Sequence, residues 1–448
     1  MLSLDKIKEY VEQISQHVRW KKVRPQIEEE LTNHIIDQRD TYIAQGLDEV
    51  AATEKAIVET GDITLIGTQL DRTHRPTPQW GMFAVTALLL IIGLLIQLFL
   101  FNDGDRPWIV MYRLLATGIG VIGMCAAYFS DFSLLGKYPK TVIGSVLLVS
   151  GITMLLSSNI NVMYYAQYIF FLYPLVFALI IFKTRNKGYG GIALSVIGFL
   201  LLAYFSTRIQ SATGLLLFAI SGVVLLLVAV YKKWFGNKKV HIQILMIFAI
   251  VPITVILLMS INSNIWERVF LSLNPSLDVS GTGYVSAMTR ELLNGAKWFG
   301  RGSVPEQFDL FQTDLMLTAI AARLGWAAVS VIIAVFLIFV CKGFILCLKQ
   351  KNSLGLFVSL SIMLTFTIQV VCYVLFNFGF QISTPFSLPF ISYGNIMTII
   401  NLGLAGCLLS VFRTGSALKD EHLALCDNDD KLLTWKDGKL TFNNRTHT

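Results

Sequence analysis

Glu306, Asp309 and Asp314 crowd into "VPEQFDLFQTDLMLTAIAARLGW", immediately ahead of an apolar run. A carboxylate in that position has two uses. At a helix N-terminus it caps N–H groups and complements the helix dipole. At the edge of a bilayer core it marks a substrate path and can take a proton from an attacking hydroxyl. Just upstream, "YVSAMTRELLNGAKWFGRG" brings Arg290, Lys297 and Arg301. Guanidinium and ammonium groups neutralise phosphate oxygens, so these three either hold a lipid-linked pyrophosphate or extend their charged ends into a lipid head-group layer.

The elements that must carry these residues are membrane helices. At 448 residues, a soluble chain would suggest about three domains. With 54% hydrophobic residues, 15% charged and a mean hydropathy of +0.62, the chain instead reads as an all-α polytopic membrane protein. Ten uncharged runs approach the roughly 20 residues that span a bilayer: Trp80–Phe101, Trp108–Phe129, Val142–Ser157, Met163–Phe182, Tyr189–Ser206, Ala212–Tyr231, Val240–Ile261, Leu315–Val340, Leu354–Phe378 and Ile391–Phe412. Lys137 and Lys140, then Lys183, Arg185 and Lys187, then Lys232, Lys233, Lys238 and Lys239, then Lys342, Lys349 and Lys351 fall in alternate loops. The positive-inside rule therefore puts both termini in the cytoplasm and the long loop 262–313 outside. The same loops account for the pI of about 9.0 without a nucleic-acid partner.

In the long loop, Val285, Met288, Leu292 and Ala296 share one helical face, as in a helix lying in the membrane interface. Ser361, Thr365 and Gln369 line one face of the ninth span, and Asn395, Thr398 and Asn401 one face of the tenth. Such stripes face protein or water, lining a cavity or bonding helices together. Gly403, Gly406 and Ser410 form a small-residue seam.

Ahead of the spans, residues 1–75 read as a helical module. Ile27, Leu31, Ile35 and Tyr42 recur at helical spacing, Gly46 ends that helix, Asp48 caps the next and Gly61 stops it. The polar tail 413–448 ends in two β-prone runs around Asp437-Gly438, a predicted hairpin. The six cysteines imply neither a disulfide framework nor a zinc site, and the polar N-terminal stretch does not read as a signal peptide. The two halves of the chain show no repeat by eye.

"SLPFISYGNIMTIINLG" resembles the signature of the SEDS family, the FtsW, RodA and SpoVE proteins: Leu388, Pro389, Phe390, Ile391, Ser392, Tyr393 and Gly394 match its Leu-Pro-Phe-(Ile or Val)-Ser-Tyr-Gly segment. In "QTDLMLTAIAARLG", Thr313, Asp314, Leu324 and Gly325 match a second signature, and Gly283 and Tyr284 of "DVSGTGY" match the start of the family's outer loop. The similarity covers residues 80–412 and is denser in the C-terminal half. "EEEL..HI.D" and "EKAIVETGD" resemble the permease prefix domain, which implies a docking or regulatory module over residues 1–75.

The SEDS resemblance implies ten spans and a peptidoglycan glycosyltransferase. Such proteins polymerise lipid II on the outer face of the bacterial cell membrane, in division, elongation or sporulation, usually beside a class B penicillin-binding protein. The family's essential aspartate maps onto Asp314 and an outer-loop acid onto Glu306. Thr313, Gln369, Ser392, Tyr393 and Asn395 join Arg290, Lys297 and Arg301 as expected substrate contacts. Leaving pyrophosphate asks for Arg, Lys or a divalent cation. The chain also departs from the pattern. Gln312 stands for a histidine, the Ala321–Arg323 stretch for an acidic pair, Asn395 for Gly-Ser, and Cys372-Tyr373 for Asn-Ile. These departures leave two alternatives: a non-catalytic scaffold recruiting wall-synthesis partners, or a carrier of a lipid-linked precursor.

Overall fold

The computed structural model describes residues 2–100, 107–156, 165–236, 240–261, 265–278, 281, 283–302, 314–381, 387–391, 394–415, 433–436 and 439–442. It divides into two compact units, Met1–Pro78 with Arg413–Thr448, and Gln79–Phe412.

The first unit contains α1 (Leu2–Gln16), α2 (Arg24–Ala44), α3 (Glu49–Thr60) and α4 (Ile63–His74). Local chemistry sets their ends. Pro25 lies in the first turn of α2, where a missing N–H costs nothing. Gly46 turns the chain out of α2 at φ +96°, and Gly61 ends α3 at φ +108°. Asp48 accepts the Val50 N–H at the start of α3. Asp62 Oδ1 accepts the N–H groups of Thr64 and Leu65, at 2.8 and 2.9 Å, to start α4. Ile7, Val11, Ile35 and Ala56 form one apolar cluster, and Val18, Val23 and Ile27 a second. Ile27 and Ile35 thus face inward as their spacing predicts, with Leu31 and Tyr42 packed alongside. Strands β1 (Leu433–Lys436) and β2 (Lys439–Phe442) pair antiparallel, Trp435 opposite Leu440. That is the expected hairpin; Asp437-Gly438 itself lies outside the described residues.

The second unit is helical. It runs α5 (Trp80–Leu100), α6 (Pro107–Phe129), α7 (Ser133–Lys137), α8 (Pro139–Leu155), α9 (Tyr173–Thr184) behind the 3-10 turn Gln167–Leu172, α10 (Gly188–Arg208), α11 (Ala212–Tyr231), α12 (Val240–Phe248) and α13 (Ile250–Ile261). The chain continues through α14 (Ile265–Leu273), α15 (Tyr284–Asn294), α16 (Met316–Leu324), α17 (Trp326–Leu348), α18 (Ser353–Asn377) and α19 (Asn395–Thr414). Among the described residues eight helices are long and apolar enough to cross a membrane, and Leu114–Phe129 and Pro139–Leu155 are shorter apolar helices. The chain is a multi-pass membrane protein.

Its core is aromatic where α9, α10 and α11 meet. Phe199 stacks on Phe218 at 4.8 Å between centroids, with Phe177 edge-on to both. The most enclosed span is α18, 83% of whose apolar stretch is buried.

Two expected boundaries are corrected. The run Leu315–Val340 is not one span but two helices, α16 and α17, divided at Gly325, whose φ is +96°. A Cβ there would lie 2.5 Å from the Trp298 carbonyl oxygen and 2.8 Å from that of Lys297. The run Val240–Ile261 is present as one membrane-length stretch, Ile242–Ile261, with the single turn residue Ala249 between α12 and α13. The last span begins at Asn395 instead of Ile391, because residues 388–391 form a turn with Phe390 at φ +66°.

The Thr64 hydroxyl first, and then the Leu65 N–H, hold the Asp62 carboxyl below the usual carboxylate range. A lowered folded value gives stability that is complete above the unfolded value and is lost as pH falls through the folded one. Asp62→Ala should therefore lower the melting temperature of an excised 1–78 fragment at neutral pH. The gap from the parent should close in acid, below the ordinary carboxylate range. Thermal unfolding followed by circular dichroism at several pH values checks this.

Candidate active site

The short helix α16 organises the region singled out by the sequence. Its first turn begins against α18, and its N-cap position is Leu315, which has no side-chain acceptor to offer. Two α18 side chains satisfy its leading N–H groups instead. The Tyr373 hydroxyl accepts the Met316 N–H at 3.2 Å, and Asn377 Oδ1 accepts the Thr318 N–H at 3.1 Å. The Thr318 hydroxyl donates to the Asn377 carbonyl at 3.0 Å. Asn377 Nδ2 donates to the Asp314 carbonyl at 3.1 Å. Asp314 is thereby fixed through its main chain, while its residue surface is exposed.

At the other end of α16 a strap is laid over the break. Gly302 N–H donates to the Ala322 carbonyl at 2.8 Å and Gly300 N–H to the Leu324 carbonyl at 3.1 Å. The Lys297 and Trp298 carbonyls accept the N–H groups of Trp326 and Ala327, the first two of α17. Orphan groups on both sides of Gly325 are thus satisfied. Lys297 and Arg301 are exposed on this strap, and Arg323 lies in the last turn of α16. At about 1.5 Å per residue, α16 sets the acidic and basic ends roughly 13 Å apart.

Arg290 is placed differently from Lys297 and Arg301. Its guanidinium donates to the carbonyls of Ser272, at 2.5 Å, and Leu273, at 3.3 Å, ending α14, and it lies over the Phe380 ring. Gly379, at φ +87°, leaves room for it: a Cβ there would meet Arg290 Cγ at 2.9 Å. The helix around Arg290 is α15, but its buried residues are Ser286, Thr289 and Leu292, with Val285 and Met288 only half-buried. Trp298 and Phe299 beyond it are exposed.

The Leu388–Ile391 segment is buried and held from two sides. Gln369 Nε2 donates to the Ser387 carbonyl at 2.6 Å, and Gln97 Nε2 to the Ile391 carbonyl at 2.5 Å. Phe390 wedges its ring against Phe339 and Phe366. Its main chain presses on α5 at Gly93, where a Cβ would collide with the Phe390 carbonyl oxygen.

The polar stripe of the ninth span is resolved by this arrangement. Ser361 and Thr365 bond back to their own helix, and Gln369 ties a turn to it. In the tenth, Asn395 and Thr398 are half-buried and Asn401 is buried. Two of the three expected seam residues make close contacts: Gly406 approaches the Met124 backbone too closely for a Cβ, and Ser410 donates to the Ser130 carbonyl, whereas a Cβ at Gly403 would meet nothing within 4 Å. Glu306, Thr313, Ser392 and Tyr393 lie outside the described residues. Among the described residues no three His, Cys, Asp or Glu side chains gather as metal ligands. Sequence reasoning missed Tyr373, Asn377 and Gln97; a tyrosine and an asparagine one helical turn apart at the end of an apolar span was the available signal.

An apolar groove of about 260 Å³ runs between α17 and α18, lined by Ile333, Leu337, Val371 and Leu375 and reaching Leu317 in the first turn of α16.

Residues 183–416 match the family model of FtsW, RodA and SpoVE, described as cell cycle protein. The chain is 29% identical over 150 residues to the probable peptidoglycan glycosyltransferase FtsW of Trichlorobacter lovleyi, covering 32% of this chain and 39% of that one. It is 27% identical over 190 residues to the corresponding protein of Geobacter sulfurreducens, covering 41% and 51%. It is 27% identical over 152 residues to stage V sporulation protein E of Bacillus subtilis, covering 33% and 42%. The matches thus span about half or less of these curated relatives. The fold is similar to a chain from a peptidoglycan synthase complex solved to explain the coordination of polymerization and crosslinking, with a TM-score of 0.58, 19% identity, and 75% of this chain and 98% of that one covered. A mutant of the rod shape determining protein RodA of Thermus thermophilus gives a TM-score of 0.50 at 15% identity, with 76% and 98% covered.

Replacing Asn377 by Leu would strand the buried Thr318 N–H, a loss of about 1–3 kcal/mol for a buried group left unpaired, and would release the Asp314 carbonyl. The variant should unfold at lower temperature than the parent in detergent. With the other cysteines replaced, a thiol-reactive dye reporting exposure of the buried Cys347 during heating measures this.

Proposed function

The chain belongs to the family of FtsW, RodA and SpoVE, and from that premise we propose that it is a peptidoglycan glycosyltransferase that polymerises lipid II on the outer face of the bacterial cell membrane. The observation that carries the reading is the division of labour at α16. Tyr373 and Asn377 cap the helix, which leaves Asp314 an exposed acid at a fixed point of the backbone.

In the reaction a sugar hydroxyl attacks the anomeric carbon of a second lipid-linked sugar. Asp314 accepts the hydroxyl proton as the new glycosidic oxygen bond forms, and the bond to pyrophosphate breaks on the opposite face. One in-line displacement inverts an α-linked donor to a β-linked product and needs one base, unlike a retaining scheme. The departing pyrophosphate carries away the electron pair, and the exposed Lys297 and Arg301 are suited to meet it. Arg290, bonded to two carbonyls, positions α15 against the end of α14. Glu306, Thr313, Ser392, Tyr393 and Asn395 remain proposed substrate contacts from the family signatures. Gln369 supports the site by holding the segment before Ser392.

The proposed topology has ten spans, counting α6 and α8, with both termini cytoplasmic and residues 262–313 outside. The carrier alternative is disfavoured because Ser361 and Thr365 spend their hydroxyl protons on carbonyls of their own helix and Gln369 donates to the Ser387 carbonyl. A class B penicillin-binding protein is the proposed partner. The apolar groove between α17 and α18 would seat a membrane segment of that partner beside the site.

Three measurements test this reading. Asp314→Asn should abolish glycan strand formation from lipid II by the purified protein while leaving its melting temperature nearly unchanged, because an amide keeps the shape but is a poor base. Wild-type turnover in that variant removes Asp314 from the mechanism, and a parent protein that forms no strands favours the scaffold over the polymerase. Cysteines introduced at positions 20 and 232 should label only from inside and at 300 only from outside. Val371→Trp should weaken co-purification with the penicillin-binding protein without reducing intrinsic polymerisation.

A further inference from the structure

The first unit segregates its charge. Residues 17–24 and 71–78 hold six of the ten Lys and Arg residues of the segment 1–78 but only one of its fourteen Asp and Glu residues. That end has a net charge of +5, while the remaining 62 residues of the segment have −9. The fold brings the two basic stretches together. The Asp71 carboxylate accepts the Arg19 N–H at 2.7 Å, and Trp20 packs with Leu70 on the cluster of Val18, Val23 and Ile27. Gly67 lets α4 lie on the end of α1, since a Cβ there would meet His17 Cβ at 2.5 Å. The one acid in the patch is therefore occupied in holding it together. Arg24 is likewise structural, donating to the carbonyls of Val18 and Gln16. Arg19, Lys21, Lys22, Arg72 and Arg75 are exposed.

Connectivity says what this surface meets. Arg75 is five residues before Trp80, where the first membrane helix begins. Even fully extended, that link reaches only about 18 Å. A cluster of cations kept so near a membrane attracts anionic head groups, whereas the acidic remainder of the unit is repelled by them.

We propose that the end of the first unit formed by the α1–α2 connection and the last turn of α4 is a docking surface for anionic phospholipid head groups, which seats the unit on the membrane with its acidic faces turned away. The proposal uses the cytoplasmic placement of the N-terminus given above and is independent of polymerisation. Seating fixes the face that the unit shows to cytoplasmic partners, and exposed Val50 and Val58 lie on α3, outside the basic patch.

The full chain, with its native cysteines replaced and one cysteine introduced at Thr73, is labelled with a fluorophore and placed in nanodiscs carrying a nitroxide-headgroup quencher. With about one-third phosphatidylglycerol, quenching should be several-fold stronger than in purely zwitterionic lipid, and half-molar salt should abolish the difference. A label at Val58 should show no such dependence. Gln at Lys21, Lys22, Arg72 and Arg75 together should remove the lipid dependence. Equal quenching in both lipids, or lipid dependence that survives high salt, overturns the proposal. The salt titration uses the unsubstituted patch, so misfolding of the four-site variant cannot obscure the outcome.

Discussion

A polypeptide that breaks its helix next to a bilayer must find partners for the backbone groups it frees, because lipid supplies none. That constraint governs the region around Asp314. The break at Gly325 frees carbonyls at the end of α16 and N–H groups at the start of α17, and residues 297–302 take both sets. The start of α16 frees N–H groups again, and Tyr373 and Asn377 take those. Each repair draws a distant part of the chain to the same short helix. Asp314 and the basic strap acquire fixed positions as a consequence.

The two segments that carry the family resemblance are thereby joined through one span. Asn377 and Tyr373 hold the first, at the end of α18, and Gln369 holds the second, about two turns deeper along the same helix. Gln97 and the missing side chain of Gly93 complete the grip from α5. A shift of α18 would move both segments together. This explains why so enclosed a membrane span carries amides, where apolar residues would have packed with less desolvation cost.

Features with local causes were legible from sequence. Asp48, Gly46 and Gly61 mark helix ends through their own backbone preferences, and the periodicity of Ile27 and Ile35 needs no partner to be seen. The long apolar spans were equally plain. The division of the eighth run was not, because Gly325 becomes a break only through the approach of Lys297 and Trp298 from the preceding loop. The caps at the start of α16 were hidden for the same reason: they come from α18, about sixty residues away in sequence. Arg290 looked like its basic neighbours on composition, and only the carbonyl ends of α14 distinguish it.

The departures from the family signature also acquire a physical meaning at α16. Where an acidic pair is expected before Leu324-Gly325, this chain has Arg323 in the last helical turn. A cation there is favoured by the negative end of the helix dipole, and an acidic pair would be opposed by it. With Lys297 and Arg301 on the adjoining strap, the change concentrates positive charge at one end of a nine-residue helix whose other end follows Asp314. A reaction that removes a proton at one point and releases a polyanion at another requires that polarity. On the proposed reading, the substitution that weakens the match to the family therefore strengthens the separation of base and leaving-group sites, and the rigidity of α16 maintains the distance between them.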